Sequence, residues 1–274
     1  CYKPMYGIVI AFQRYRPSLG IGRSKFVGLD NFIYAFGDPY IITVILNTLI
    51  ISVLGLLGLP LAGMIAILLS EVRGKKFKKT VQTAITIPNF ISWIIIYSIM
   101  FSLFSNDGLL TTLFRGLSGN RDSTVTLLTN PGSAKLFMVM TNIWKTVGYN
   151  SIIFFAAVTG IDSQLYDAAA VDGAGRWQKI VHITIPGILP TFITLLIISV
   201  GAILNNGFEQ YYVFVNPMIQ KNIEVLDYYV YRIGMLNNDI PASTAVSMIK
   251  TFISVILVFS VNKLSKRALG QSIL

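Results

Sequence analysis

The chain has 274 residues, of which 54% are hydrophobic and only 12% are charged, and its formal net charge is +10. Soluble domains carry about 25% charged residues, so this chain lacks the surface charge that an ordinary soluble enzyme of its length needs. A single cysteine and a single histidine exclude an intrachain disulfide framework and a metal site built from several of these ligands.

Long apolar segments recur along the chain, and a membrane helix needs about 20 such residues. Residues 1–12 form a shorter apolar run, which predicts the outer end of a first membrane helix whose beginning is absent here. Each longer segment has few charges and predicts a membrane helix. These segments cover residues 40–70, 81–104, 136–160, 190–215 and 242–264. Internal residues that indicate kinks and close packing are Pro60, Pro88, Gly148 and Gly201.

The basic residues predict the orientation of these helices. Residues 73–79 form a short loop crowded with Lys and Arg, and such loops stay on the cytoplasmic side of a membrane. Alternation then places residues 161–189 and the basic tail 263–267 on the same side. This topology accounts for the inner basic residues, so they require no nucleic-acid partner. The first outer loop, residues 13–39, is basic against this trend.

Residues 161–190 form a cytoplasmic segment that is long and regular for a connection between membrane helices. Asp162 or Ser163 is predicted to cap a short helix over residues 164–171, because both side chains accept hydrogen bonds from helix N–H groups. The middle of this helix consists of alanines, which have almost no side chain. Gly173 or Gly175 is predicted to take the left-handed conformation that ends it.

A second helix is predicted to follow and to stop at Pro186, with Pro190 in the first turn of the next membrane helix. The two short helices would expose small and apolar residues to the cytosol, so something must cover them. One alternative is a hairpin that lies on the lipid headgroups. The other is a docking element that fits a groove on a soluble partner.

This segment resembles the cytoplasmic signature loop of ABC importer permeases. That loop has the form Glu-Ala-Ala, three residues, Gly, nine residues, Ile, one residue, Leu-Pro. Asp167 stands here where the family has Glu, and Ile185 stands where it has Leu, so charge and apolar character are kept. The residues that match the pattern at its spacing are Asp167, Ala168, Ala169, Gly173, Ile183 and Pro186.

The resemblance continues over most of the chain, in Asn47-Thr48, in residues 87–93, and in Trp144 with Gly148. Weaker cues resemble the sugar and polysaccharide branch of binding-protein-dependent importers, which is related to the permeases of the maltose importer. These cues lie in residues 6–12, 26–32 and 227–232.

The resemblance implies an all-α integral membrane protein with the six-helix core of an ABC type I importer permease. It implies one transmembrane permease domain over residues 1–274, with residues 161–190 as the coupling loop, in the bacterial cytoplasmic (inner) membrane. The expected partners are membrane lipid, a second homologous permease subunit in a heterodimer, an ABC ATPase dimer and an extracytoplasmic solute-binding protein.

The chain is expected to be a transport subunit and not an enzyme. The sequence has no Gly-x4-Gly-Lys-Ser/Thr phosphate loop, so no cofactor is expected on this chain, and ATP with Mg²⁺ is expected on the partner subunit. The resemblance implies a set of ATPase-docking residues around the loop. They are Tyr166, Asp167, Ala168, Ala169, Ala170, Asp172, Gly173, Ile183 and Pro186.

The implied function is ATP-driven import of oligosaccharides, with half of the translocation pathway formed by this chain. An importer permease for peptides, ions or amino acids remains an alternative. An ion-coupled secondary carrier is disfavoured, because no Asp or Glu lies at the centre of a predicted span. A membrane enzyme is disfavoured because the sequence offers no acid–base pair, nucleophile constellation or metal spacing.

Polar residues at membrane depth are candidates for the translocation pathway. One group recurs about every fourth residue in the segment 136–160, and the other lies at the outer end of the segment 190–215. Amides and aromatic rings suit sugars, whereas Lys145 would suit a carboxylate and therefore favours an acidic (uronate) oligosaccharide as the substrate. The alternative is that these residues hydrogen-bond helices together, with Lys145 on a buried carbonyl or on Glu209. The candidates are Lys145, Tyr149, Asn150, Asn205, Asn206, Glu209 and Gln210.

Overall fold

The structure is a computed structural model, and it describes residues 6–118 and 127–269. Helices account for most of these residues. The α-helices are α1 (Gly20–Arg23), α2 (Asp30–Gly37), α3 (Pro39–Gly55), α4 (Gly58–Glu71), α5 (Lys75–Thr86), α6 (Trp93–Phe104), α7 (Leu109–Ser118), α8 (Pro131–Thr159), α9 (Ser163–Val171), α10 (Arg176–Lys179), α11 (Ile185–Gly201), α12 (Glu209–Phe214), α13 (Gln220–Ile223), α14 (Leu226–Tyr231) and α15 (Ile240–Leu269).

Short elements of other kinds connect these helices. Two 3₁₀ helices cover Tyr6–Phe12 and Ile87–Phe90, and two π-helical turns cover Ile180–Thr184 and Arg232–Leu236. Two short strands, β1 (Gln13–Arg14) and β2 (Lys25–Phe26), pair antiparallel with Gln13 opposite Phe26. Residues 1–5 lie outside the described residues, so the interpretation of residues 1–12 as the end of a first membrane helix stays a prediction.

Four helical stretches within the described residues are long and apolar enough to cross a membrane. They are Pro39–Glu71, Trp93–Leu117, Arg176–Gly201 and Ile240–Lys263. The predicted span 136–160 also forms a helix, the 29-residue α8, but it is not among these four. Helix α8 is long enough to cross a membrane, but Lys145 and its polar neighbours lower its mean hydropathy, so it is not grouped with the four apolar stretches.

The predicted span 81–104 is not one continuous helix, and its interruption lies at Pro88, where the sequence predicts a kink. It is divided between α5 and α6 by the 3₁₀ turn Ile87–Phe90. Pro88 has no N–H and its ring clashes with the carbonyl four residues earlier, so an α-helix does not continue through it. The basic residues of the predicted loop 73–79 are mostly helical, because α5 begins at Lys75.

The predicted boundaries of the apolar segment 190–215 are also wrong. The helix runs without interruption from Arg176 to Gly201, and Pro186 does not stop it. The π turn before Pro186 widens the helix, with the N–H of Ile185 donating to the oxygen of Ile180, five residues earlier. A widened turn gives room for a proline ring where a regular turn would be broken.

The contacts of the chain divide it into two compact units that alternate along the sequence. The first unit comprises Cys1–Ser52, Trp93–Met138 and Ala202–Leu257, and the second comprises Val53–Ser92, Val139–Gly201 and Val258–Leu274. The core of the first unit is an apolar cluster from α2, α3, α14 and α15. Its buried members include Ile41, Val44, Leu226, Tyr229 and Val246.

The core of the second unit joins α4, α8 and α11. The small residues Ala62 and Ala66 of α4 share this cluster with the fully buried ring of Phe154, and a Cβ at Gly63 would lie 3.9 Å from that ring. Gly148 allows a closer approach still, since a Cβ there would lie 1.9 Å from the carbonyl oxygen of Ile85. The close packing predicted from Gly148 is therefore present, and α8 is fixed against the end of α5.

Candidate functional site

The first part of the candidate site is the loop that contains α9, within the second unit. Asp162 caps this helix, with its Oδ1 accepting the N–H of Gln164 at 2.9 Å. Gly173 ends the helix with a φ of 77°. The N–H of Gly173 donates to Ala170 at 3.2 Å, and the N–H of Ala174 donates to Ala169 at 2.8 Å. This pair of bonds is the Schellman motif, so both predicted helix ends form as the sequence indicated.

Most residues of the loop around α9 are exposed. No residue of α9 is buried, and the apolar side chains of Val171 and Trp177 are 89% and 73% exposed. Apolar groups of this size are costly in water unless a partner or the lipid surface covers them. The structure therefore presents a preformed surface of small and apolar groups, as the docking prediction requires.

One bond attaches this surface to the helix that follows, and a second bond caps that helix. The hydroxyls of Tyr166 and Thr184 are hydrogen-bonded at 2.9 Å, which joins α9 to the π turn. The N–H of Gly175 donates to Gln178 at 2.7 Å and closes the start of α10. Of the predicted docking residues, those that are exposed are Asp167, Ala168, Ala170, Asp172, Gly173 and Pro186, and those that are half-buried are Tyr166, Ala169 and Ile183.

The second part of the candidate site consists of the predicted pathway residues of α8, also in the second unit. The buried ammonium of Lys145 donates to the carbonyl oxygens of Pro88, Asn89 and Ile91 at 3.2, 3.0 and 2.5 Å. These carbonyls lie where the 3₁₀ turn interrupts the helix, so Lys145 satisfies groups that a continuous helix would have paired. This geometry favours the structural alternative for Lys145, whereas Tyr149 is exposed.

The remaining pathway residues lie in the first unit, beyond the end of α11. Asn205 and Asn206 are in an irregular segment and not on a membrane helix, and Glu209 begins the separate helix α12. Asn205 and Glu209 are exposed. Gln210 is 2% exposed, and its Nε2 donates to the oxygen of Met138 at 2.8 Å, which is an interhelical hydrogen bond of the kind that the alternative reading expected.

Asn206 is held by residues that the sequence analysis did not select. Its side-chain amide donates to Oγ of Ser52 at 2.8 Å. Its backbone N–H donates to Oδ2 of Asp227 at 2.9 Å, and Asp227 is ion-paired with Lys250. A lysine inside an apolar segment was a visible signal for Lys250. Nothing in the sequence pointed to its partner.

A second polar network in the same unit surrounds Glu224, whose side chain is fully buried. Its carboxylate accepts the Tyr40 hydroxyl at 2.6 Å, the Gln220 amide at 3.1 Å and Nε of Arg232 at 2.7 Å. Burial opposes the charge of Arg232, but the hydrogen bond and the charge of Glu224 raise the pKa of the guanidinium on balance. The network joins Tyr40 at the start of α3 to Arg232 at the end of α14.

Within residues 6–118 and 127–269, no group of three or more His, Cys, Asp or Glu side chains could hold a metal ion.

Residues 58–270 match the family described as "Binding-protein-dependent transport system inner membrane component". The chain belongs to this family. It is accordingly a multi-pass protein of the bacterial inner membrane, and the predicted ABC permease family and location are confirmed.

Two relatives in Bacillus subtilis (strain 168) each align with 97% of this chain over 268 residues, which cover 83% of the relative. Protein LplB is 38% identical. The polygalacturonan/rhamnogalacturonan transport system permease protein YteP is 41% identical. A more distant relative, the sn-glycerol-3-phosphate transport system permease protein UgpA of Salmonella choleraesuis (strain SC-B67), is 30% identical over 85% of this chain and 78% of its own length.

Solved structures of the family show the same fold. A chain of a bacterial ABC transporter involved in the import of the acidic polysaccharide alginate matches with a TM-score of 0.88 and 33% identity, over 98% of this chain and 90% of that one. The inward-facing MetNI methionine ABC transporter matches with a TM-score of 0.57 at 15% identity, which shows the fold alone. The predicted all-α type I importer permease fold is confirmed.

Proposed function

We propose that this chain is the permease subunit of an ATP-driven importer of oligosaccharides, including acidic ones built from uronic acids. The observation that carries this proposal is its similarity, over almost the whole chain, to YteP and to the alginate transporter. Both of those proteins are named for acidic polysaccharides. This chain would form half of the translocation pathway, and a second homologous permease would form the other half.

The exposed loop supports a separate ATPase subunit as the partner that covers α9. It is rigidly capped at both ends, it presents alanines and an exposed Val171, and it carries the family signature. A preformed apolar helix that fits a groove needs little ordering on binding. ATP and Mg²⁺ would bind to that partner. An extracytoplasmic solute-binding protein would deliver the substrate. This expectation is supported by the related alginate transporter, which forms a complex with an alginate pentasaccharide-bound periplasmic protein.

The same loop gives a route for mechanical coupling within the second unit. Helix α10, the π turn and α11 form one uninterrupted helix, and the Tyr166–Thr184 bond fixes α9 to it. Closure of an ATPase dimer around α9 would therefore displace the membrane helix α11 directly. The ring of Phe154 on α8 packs beside Phe192 on α11, so both helices would respond. ATP binding would bias a two-state element in this way.

For the pathway we propose the polar residues predicted from the sequence, with the exposed members Tyr149, Asn205 and Glu209 as the primary candidates. The side chains of Lys145 and Gln210 already donate hydrogen bonds to backbone carbonyls, so they have a structural role. An amide such as Asn205 donates and accepts hydrogen bonds, which suits sugar hydroxyls.

The substrate class is tested by uptake into proteoliposomes that contain the complete importer and its binding protein. Radiolabelled trigalacturonate and maltotriose are supplied with ATP inside the vesicles. We expect ATP-dependent uptake of trigalacturonate. Uptake of neither sugar would overturn the oligosaccharide assignment, and uptake that persists without ATP would favour a secondary carrier.

The pathway residues are tested in the same vesicles with Asn205→Ala and Glu209→Ala. We expect each to lower uptake by about tenfold, the effect of removing a hydrogen bond worth roughly 1.4 kcal/mol. The matched control is Asp107→Asn, since Asp107 is 97% exposed in a surface ion pair with Arg115. Undiminished uptake in both alanine variants would remove these residues from the pathway.

A further inference from the structure

The irregular segment between α11 and α12 is held by one carboxylate. Oδ2 of Asp227 accepts two successive backbone N–H groups, from Asn206 at 2.9 Å and from Gly207 at 3.1 Å. Gly207 has a φ of 78°, a conformation that turns the chain and that other residues rarely adopt. The turn at Asn206–Gly207 is therefore shaped around the Asp227 side chain.

The other oxygen of this carboxylate is ion-paired with a lysine of a membrane helix. Oδ1 of Asp227 accepts a hydrogen bond from Nζ of Lys250, and both side chains are largely buried. Lys250 lies within the membrane-spanning stretch Ile240–Lys263. A charge at such a position is costly unless it is paired, so the pair links α15 to the irregular segment.

A carboxylate is the side chain that fits this position, because donors approach it from both sides. The two backbone N–H groups occupy one oxygen and the Lys250 ammonium occupies the other. An amide of the same shape has one acceptor oxygen and one NH₂ donor. Asparagine at position 227 would therefore present its NH₂ either to Lys250 or to the two N–H groups, and one set of bonds would be lost.

Additional bonds tie the same segment to α3. Oγ of Ser52 accepts the Asn206 amide at 2.8 Å and donates to the backbone oxygen of Ile203. Asn205 itself makes none of these contacts and is exposed. The bonds thus fix the backbone on both sides of Asn205 and leave its side chain accessible.

We propose that Asp227 and Lys250 are positioning residues for transport, which hold the segment 205–207 so that Asn205 is presented to the substrate. We call the pair, with the two N–H groups that it binds, the polar latch. The assignment rests on the proposed function only in that Asn205 contacts the substrate. The existence of the polar latch is independent of which solute is carried.

The test compares Asp227→Asn, Lys250→Met and the double variant in the purified importer, with Asp107→Asn as the control. Hydrogen–deuterium exchange of the peptide that contains Asn206 and Gly207 reports the two N–H bonds directly. We expect Asp227→Asn to accelerate this exchange about tenfold, since hydrogen bonds to a charged acceptor are lost. In the double variant the asparagine oxygen can turn towards the N–H groups, so exchange should return to within about twofold of wild type.

Comparing substrate uptake with ATP hydrolysis distinguishes a positioning role of Asp227 and Lys250 from a merely structural one. Uptake of trigalacturonate by Asp227→Asn should fall about tenfold. ATP hydrolysis by the same preparation should change by less than about twofold, because the loop of residues 161–190, the docking loop, is untouched. The double variant should recover uptake. A merely structural contact would lower uptake and hydrolysis together and would show no recovery.

Each outcome decides the proposal. Unchanged exchange in Asp227→Asn, or no recovery in the double variant, would overturn the polar latch. Altered exchange with unchanged uptake would overturn its positioning role. If Asp227→Asn does not assemble, the double variant must assemble with wild-type exchange, and its failure too would overturn the proposal. If the wild-type importer takes up neither sugar, the substrate proposal fails, and exchange and ATP hydrolysis still decide the latch.

Discussion

The docking loop and the segment at Asn205–Gly207 both follow a membrane helix, but they are held in different ways. The bonds that shape the docking loop are local: Asp162 caps Gln164, two residues away, and Gly175 bonds to Gln178, three residues away. The segment at Asn206 depends on Asp227, which is 21 residues away, and on Ser52, which is 154 residues away.

This difference matches the proposed tasks of the two regions. A loop closed by its own residues keeps its shape while fully exposed, so a partner subunit can bind it without ordering it first. A segment held by distant helices keeps its shape only while those helices stay in place. It will therefore respond when the helices move, which is useful in a pathway that must open and close.

We expect the largest loss of stability when a long-range polar contact of the first unit is removed. Glu224→Ala would leave the half-buried guanidinium of Arg232 without its carboxylate partner, and we expect a loss of about 3 kcal/mol in unfolding free energy. Thermal unfolding of the purified permease in detergent measures it. Asp107→Ala is the control and should change stability by less than about 1 kcal/mol. An equal, small effect of both variants would contradict the comparison.

A change in the docking loop should instead remove function and spare the membrane part. Gly173→Val places a β-branched residue at a φ of 77°, which costs roughly 1–2 kcal/mol and opens the end of α9. We expect the ATPase to be lost from the co-purified importer, with an unchanged unfolding temperature of the permease. Gly160→Ala is the matched control, because a Cβ there makes only ordinary contacts. Full recovery of the ATPase with Gly173→Val would remove the loop from the interface.

The smallest expected effect is that of a single helix cap. Asp162→Ala removes the acceptor for the Gln164 N–H and should destabilise α9 by about 1 kcal/mol. Faster hydrogen exchange confined to α9 would show this local fraying, and transport should fall only a few-fold. Ser163→Ala should leave exchange unchanged. If Asp162→Ala instead destabilised the whole permease, the loop would not be the local, self-closed element described here.

The sequence by itself determined the family, the membrane class and the two ends of α9, since each depends on composition or on residues close together in the chain. The cap at Asp162 and the left-handed turn at Gly173 are formed by neighbours within a few positions, so their pattern could be read directly. The apolar segments were found because a bilayer demands long apolar helices whatever the tertiary packing.

Only the tertiary structure decided how those helices end and which polar residues act together. The π turn carries the helix through Pro186, and Lys145 satisfies carbonyls some 54 to 57 residues away. Asp227 and Lys250 are 23 residues apart and lie on different helices. Nothing in their sequence spacing indicates that they meet, because a contact between helices is set by packing over the whole unit, whereas a helix cap is set by the few residues around it.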